Sequence, residues 1–203
     1  MKSSRWYLLV VWMVIFSFMA GVGEAAAIGG VKLPGVSSRQ DKQEKANPEK
    51  TADEWFEQGL AYHEQYLYDK AIHAYTKAAE LDSTVAAVYI NRGHAYAESG
   101  RYDAALADFS KAVELEPQDA ETYYNRGVVY DAKEDYAQSL TNYTKAIELN
   151  PQYSDAHYNK AIALENLGRS QEAKASYAAF IQYAPADDPE LPFARERLQA
   201  LSR

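Results

Sequence analysis

The sequence predicts an all-α fold: an α-α superhelix of four stacked helix-turn-helix units, closed by a short C-terminal helix. Three observations predict it. A 34-residue segment recurs four times with no insertion between copies, over 52–85, 86–119, 120–153 and 154–187. Within each copy the apolar residues return at helical spacing, in two blocks of about 14 residues. The connections are short, and Pro117, Pro151 and Pro185, with Ser83 in the first copy, close the copies where a helix must stop.

The elements follow in chain order. Lys2 and Arg5 precede an uncharged apolar run, Trp6 to Gly23, and Ala25-Ala26-Ala27 supplies small residues in an A-x-A pattern. Residues 1–27 therefore read as a secretory signal peptide. The other reading is an uncleaved anchor, because the run is close to the length that spans a bilayer. Both place the repeats on the exported side, periplasmic or secreted, with membrane contact only through this segment. Residues 28–51 are rich in Gly, Pro, Ser, Gln and Lys and read as a flexible polar linker. Thr51-x-x-Glu54 is a capping box opening the first helix. In the second copy, Tyr89, Gly93 and Tyr96 share one face of the first helix, and Ala105, Phe109 and Ala112 share one face of the second. The last copy departs from the pattern, with Ala161 in the glycine column, Phe180 in an alanine column and His157 in an aromatic one. Residues 188–203 are expected to cap the stack through a helix from Pro189 to Leu201. Leu191, Leu198 and Leu201 would cover the open edge there, with Arg195, Glu196 and Arg197 facing water.

The aligned columns are Gly59, Gly93, Gly127 and Ala161; Tyr62, Tyr96, Tyr130 and Leu164; Ala71, Ala105, Ser139 and Ala173; and Tyr75, Phe109, Tyr143 and Tyr177. This pattern resembles the tetratricopeptide repeat (TPR) family. The resemblance implies a right-handed superhelix whose concave groove is lined by the first helix of each copy. It directs function to a surface and away from catalysis. Helices this short are marginal alone and gain stability by stacking on neighbouring copies. Most of the 17 tyrosines are thereby assigned to the core.

Composition narrows the function further. A formal net charge of -8 gives no basic footprint for nucleic acid. The absence of cysteine excludes disulfides, thiolate metal sites and a catalytic thiol. No phosphate-binding glycine loop stands between a strand and a helix, and no strained nucleophile elbow is visible. His63 and His94 fall on the groove side of adjacent copies, near Glu64 and Glu98, but their spacing matches no metal motif. No cofactor, metal or catalytic residue is expected.

The groove columns carry the functional signal. Asn91, Asn125 and Asn159 recur two residues before the glycine column, with Glu57 in the first copy. A carboxamide offers a donor and an acceptor, so a ladder of them can hold an extended peptide by its backbone. The arrangement resembles the asparagine ladder in the superhelix of O-linked N-acetylglucosamine transferase, matching only that non-catalytic part. The alternative is that the asparagines pair with neighbouring repeats. Beside them runs an apolar stripe, Phe56, Ile90, Tyr124 and Tyr158, readable either as a binding surface or as packing between repeats. Arg92, Arg126 and Lys160 form the next column, expected to pair with carboxylates of adjacent copies. Co-chaperones that clamp an acidic C-terminus need cations at groove positions where this chain has Phe56, Leu60, Asn91, Glu121 and Asn125, so a dicarboxylate clamp is not expected. Net charge by copy runs -5, -3, -2 and -1, and Asp53, Glu57 and Glu64 suit a basic segment of a partner at the first copy. The sequence thus predicts an exported, non-enzymatic interaction scaffold. It would bind a protein or peptide in the groove formed by Phe56, Ile90, Asn91, His94, Tyr124, Asn125, Tyr158 and Asn159, in assembly of an envelope or secretion complex. The alternative is a self-associating module, a homo-oligomer without a peptide ligand. Asn142-Tyr143-Thr144 is a formal glycosylation sequon.

Overall fold

The computed structural model describes residues 50–202, which hold nine α-helices and no strand. The N-terminal segment 1–27 and the linker as far as residue 49 lie outside the described residues. Four pairs follow in order: α1 (Ala52–Glu64) with α2 (Tyr68–Leu81), α3 (Ala86–Glu98) with α4 (Tyr102–Leu115), α5 (Ala120–Ala132) with α6 (Tyr136–Leu149), and α7 (Ser154–Asn166) with α8 (Ser170–Tyr183). A last helix, α9 (Leu191–Ala200), ends the stack.

One turn geometry joins the two helices of every pair. Tyr66, Gly100, Glu134 and Gly168, one per copy, have φ of 59°, 77°, 61° and 72°. The left-handed residue folds the next amide back onto the helix: Leu67 N donates to Tyr62 O (3.0 Å), Arg101 N to Tyr96 O (2.8 Å), Asp135 N to Tyr130 O (3.0 Å) and Arg169 N to Leu164 O (2.8 Å). These six-to-one bonds satisfy carbonyls that the helix end would otherwise strand. Glycine takes this conformation freely, whereas Tyr66 and Glu134 do so at a cost of about 1–2 kcal/mol. Helix starts are fixed where an aspartate is available. Asp119 accepts from the amides of Glu121 (3.2 Å) and Thr122 (3.0 Å), and Asp135 accepts from that of Gln138 (3.2 Å).

The conserved-size columns build the core. Tyr75, Phe109, Tyr143 and Tyr177 are wholly buried, as are Ala71, Ala105, Ser139 and Ala173. Each second helix also packs on the first helix of the next copy, and α1 touches α3 as α5 touches α7. No pair of second helices meets to the same extent among the described residues. A stack closed on the first-helix side curves with those helices inside, which places the groove columns on the concave face.

The cap is shorter than its expected span, because Asp188 turns the chain first: its Oδ1 accepts from Glu190 N (2.9 Å) and its carbonyl from Leu191 N (3.2 Å). Leu191 is buried and Leu198 and Leu201 pack against a cluster of Tyr158, Leu164, Tyr177 and Phe180. Arg197 differs from its expected outward place. Its Nη2 donates to Glu165 on α7 at 2.8 Å, tying the cap to the fourth copy. Tyrosines are less uniformly interior than the columns suggest: Tyr75, Tyr89, Tyr143, Tyr158 and Tyr177 are buried, while most others described are half-buried and Tyr66 is exposed.

Candidate functional site

On the concave side the asparagine column divides into three situations. Asn91 is half-buried, and its Nδ2 donates to Ala87 O one turn back on α3 at 2.8 Å. Asn125 is half-buried on α5 and its Nδ2 lies 3.3 Å from His94 Nε2 on α3. Neither carbonyl oxygen has a protein partner among the described residues. Asn159 is different: only 4% exposed, it donates to the hydroxyl of Tyr124 at 3.1 Å. That rung ties α7 to α5 and faces the interior.

His94 governs the middle rung. Its ring stands edge-on to Phe109, with centroids 5.2 Å apart. Burial pushes its pKa down to about 4, because charging the ring there would strip it of water. The neutral imidazole keeps a lone pair on Nε2, which accepts from Asn125.

The apolar stripe divides at the same copy. Phe56, Ile90 and Tyr124 are half-buried. Phe56 lies 5.8 Å from the Tyr75 ring, and Tyr124 lies 5.8 Å from Tyr143 and 5.0 Å from Tyr153. Tyr158 is 3% exposed and donates its hydroxyl to Glu190 Oε2 at 2.7 Å, so the segment before α9 covers it. The accessible groove surface therefore runs over the first three copies. Asp53, Glu57 and Glu64 are exposed on α1. His63 is held by Glu98 across the copy boundary at 2.8 Å, and no group of three His, Asp or Glu suited to a metal ion occurs among the described residues.

The arginine column is built otherwise than expected. Arg92 Nε and Nη2 donate to both oxygens of Asp108, at 2.7 and 2.8 Å, within its own copy. Its link to the adjacent copy is to a hydroxyl, Thr76 Oγ1 at 3.0 Å. Arg126 repeats the arrangement with Asn142 Oδ1 (2.7 Å) and Ser110 Oγ (3.3 Å). The signal was present in the sequence as pairs 16 residues apart, in a column of the second helix rather than of the groove. Asn142 is 3% exposed and its Nδ2 is bound to Gln138 O at 2.8 Å, so the sequon is enclosed in the fold.

Comparison with known proteins agrees with this geometry. Models described as tetratricopeptide repeat match residues 52–85, 120–153 and 142–175, and one described as TPR repeat matches 93–133. No match was found among curated protein sequences. Among solved structures, the MamA protein is similar in fold (23% identity, 74% of this chain and 80% of that chain, TM-score 0.68). YrrB, a TPR protein with an unusual peptide-binding site, shares 25% identity over 81% of this chain and 82% of its own, with TM-score 0.64. The first TPR of Spaghetti (RPAP3), bound to the HSP90 peptide SRMEEVD, shares 27% identity over 58% of this chain and 94% of its own, with TM-score 0.56. Repeats matched along most of the helical region, together with a fold shared with solved tetratricopeptide proteins, show that the chain belongs to the tetratricopeptide repeat family.

Proposed function

We propose that the protein holds an extended polypeptide in the concave groove of its first three copies, gripping backbone through Asn91 and Asn125. The observation that carries this reading is the pair of carboxamides one repeat apart whose oxygens have no partner among the described residues. Each stands beside a half-buried apolar residue, Ile90 or Tyr124, that would pack against the bound chain. Phe56 extends the stripe to the first copy, where Asp53, Glu57 and Glu64 favour a basic segment. His94 serves as a positioning residue for Asn125. Tyr158 and Asn159 support the floor from below and the fourth copy seals the end. The role is non-catalytic, and the apolar run at residues 6–23 supports an exported setting, in assembly of an envelope or secretion complex.

The test is site-directed photocrosslinking. A benzophenone side chain at position 90 or 124 should crosslink a soluble library of lysine-rich peptides, whereas the same probe at Tyr123, on the other side of α5, should not. Equal yield at all three positions would overturn the groove assignment.

A further inference from the structure

The second and third copies place an arginine in similar surroundings and differ chiefly in its partner on the second helix, Asp108 in one and Asn142 in the other. In the second, both Asp108 oxygens occupy the Arg92 fork. In the third, Asn142 offers one oxygen to Arg126 Nε, its amide nitrogen being held by Gln138 O. Arg126 Nη1 reaches Ser110, the guanidinium lies 5.4 Å from the centre of the Tyr123 ring, and Nη2 has no hydrogen-bond partner among the described residues. A recess of about 480 Å³ opens at this point, lined by Tyr123, Arg126, Leu140, Thr144, Lys145 and Glu148 among others. That is within the range of about 300–1,000 Å³ typical of pockets that take a small ligand or a side chain with its neighbours. Lys160, the third member of the arginine column, is half-buried, lies in the field of Glu172 and more weakly of Glu148, and stands outside the lining of the recess. Within the lining Lys145 is paired with Glu148 at 3.1 Å, which leaves Arg126 as the cation that no carboxylate of the recess pairs, on a chain whose net charge is -8.

We propose that this recess is a second binding site, for a single carboxylate from an acidic side chain of a partner polypeptide. The carboxylate would supply the second oxygen that Asp108 supplies in the copy before. Arg126 Nη2 donates to it, the Thr144 hydroxyl lies within the same recess, and the Tyr123 ring and Leu140 take the aliphatic stem. At about 100° per residue, Tyr123 and Arg126 lie on the face of α5 opposite Tyr124, Asn125 and Val128. The site therefore acts independently of the groove, and a partner can engage both faces of the third copy. A bare inorganic anion would leave the apolar part of the recess unfilled.

Exchange of the two copies' residues tests this. Binding is read from the Arg Nε–Hε resonances of the full protein in titrations with acetyl-Leu-Asp-Leu-amide, its Asn counterpart and inorganic phosphate. The Asp peptide should shift the Arg126 signal saturably, and the other two should not. N142D should reproduce the Arg92–Asp108 pair internally and weaken peptide binding by about tenfold or more, while D108N should make the Arg92 signal responsive. If N142D proves poorly folded, R126Q, which adds no competing carboxylate, should abolish binding read instead from the peptide's own leucine methyl resonances, and retained binding there would overturn the proposal. An unsaturating response, an equal response to the Asn peptide or phosphate, or unchanged binding by folded N142D would each overturn the proposal.

Discussion

A methyl group placed on Gly127 would lie 2.7 Å from Cε1 of Tyr143, closer than two carbons can stand. The glycine column therefore serves the aromatic column: the second helix sends a ring into the space where the first helix has no side chain. The fit varies from copy to copy and is tightest at Gly59 against Tyr75. A methyl on Gly93 would meet Phe109 at 3.1 Å, and the fourth copy has Ala161 against Tyr177. Alanine normally improves a helix over glycine by about 1 kcal/mol, and overpacking a rigid core costs about 1–3 kcal/mol. Gly127→Ala should consequently destabilise the protein by roughly 1–2 kcal/mol, with Gly93→Ala close to neutral. Urea midpoints of the two variants check the order; equal effects would contradict it.

The turn residues give the opposite outcome. Glu134 holds a φ of 61° at a position where Gly100 and Gly168 stand in other copies. Glu134→Gly should raise stability by about 0.5–1 kcal/mol, since relief of the left-handed backbone exceeds the entropy that glycine loses. Tyr66→Gly should behave alike, and the urea midpoint is again the measurement.

Two buried groups bias stability in opposite directions with pH. His94 is depressed to about 4 by burial, so the unfolded chain binds the proton that the folded one refuses, and stability is lost as pH falls from about 6.5 towards 4. Asp131 is raised to about 6 by burial; Tyr143 donates to its Oδ2 at 2.6 Å and its Oδ1 has no partner among the described residues. There the folded state holds the proton more tightly, so stability falls as pH rises from about 4 to about 6. The two should largely cancel in the native protein. Asp131→Asn should expose a rise in stability between pH 4 and 6.5, and His94→Gln should expose a fall from pH 4 to 6, both read from urea midpoints. Protonating His94 also removes the acceptor for Asn125.

The asparagines should separate by burial. Tyr124→Phe removes the acceptor of the enclosed Asn159 amide and should cost about 1–2 kcal/mol. Asn91→Ala, at a half-buried rung that among the described residues bonds only its own helix, should change stability by less than about 0.5 kcal/mol. Thermal unfolding of the two variants checks this contrast.

The repeat made the helices and their turns legible, because Gly, Ala, aromatic and Pro columns each answer a local steric demand. Position in a column was less informative about exposure. Asn91, Asn125 and Asn159 are identical in sequence register, yet Asn159 meets the Tyr124 hydroxyl where the copy before offers Ile90, and the segment before α9 covers Tyr158 and closes the fourth copy. An end effect of that kind depends on residues outside the repeat. The Arg92–Asp108 pair was legible only by comparing two columns of one copy, since its partner sits on the paired helix rather than on the next repeat.

The central claim is that Asn91 and Asn125 grip peptide backbone. Fluorescence anisotropy of a lysine-rich peptide selected by crosslinking at Ile90 measures it most directly, in the native protein and in Asn91→Ala/Asn125→Ala. The account predicts affinity lower by about tenfold or more with helicity unchanged, and a similar loss for peptides of shuffled sequence. Native affinity in the folded double variant would contradict it.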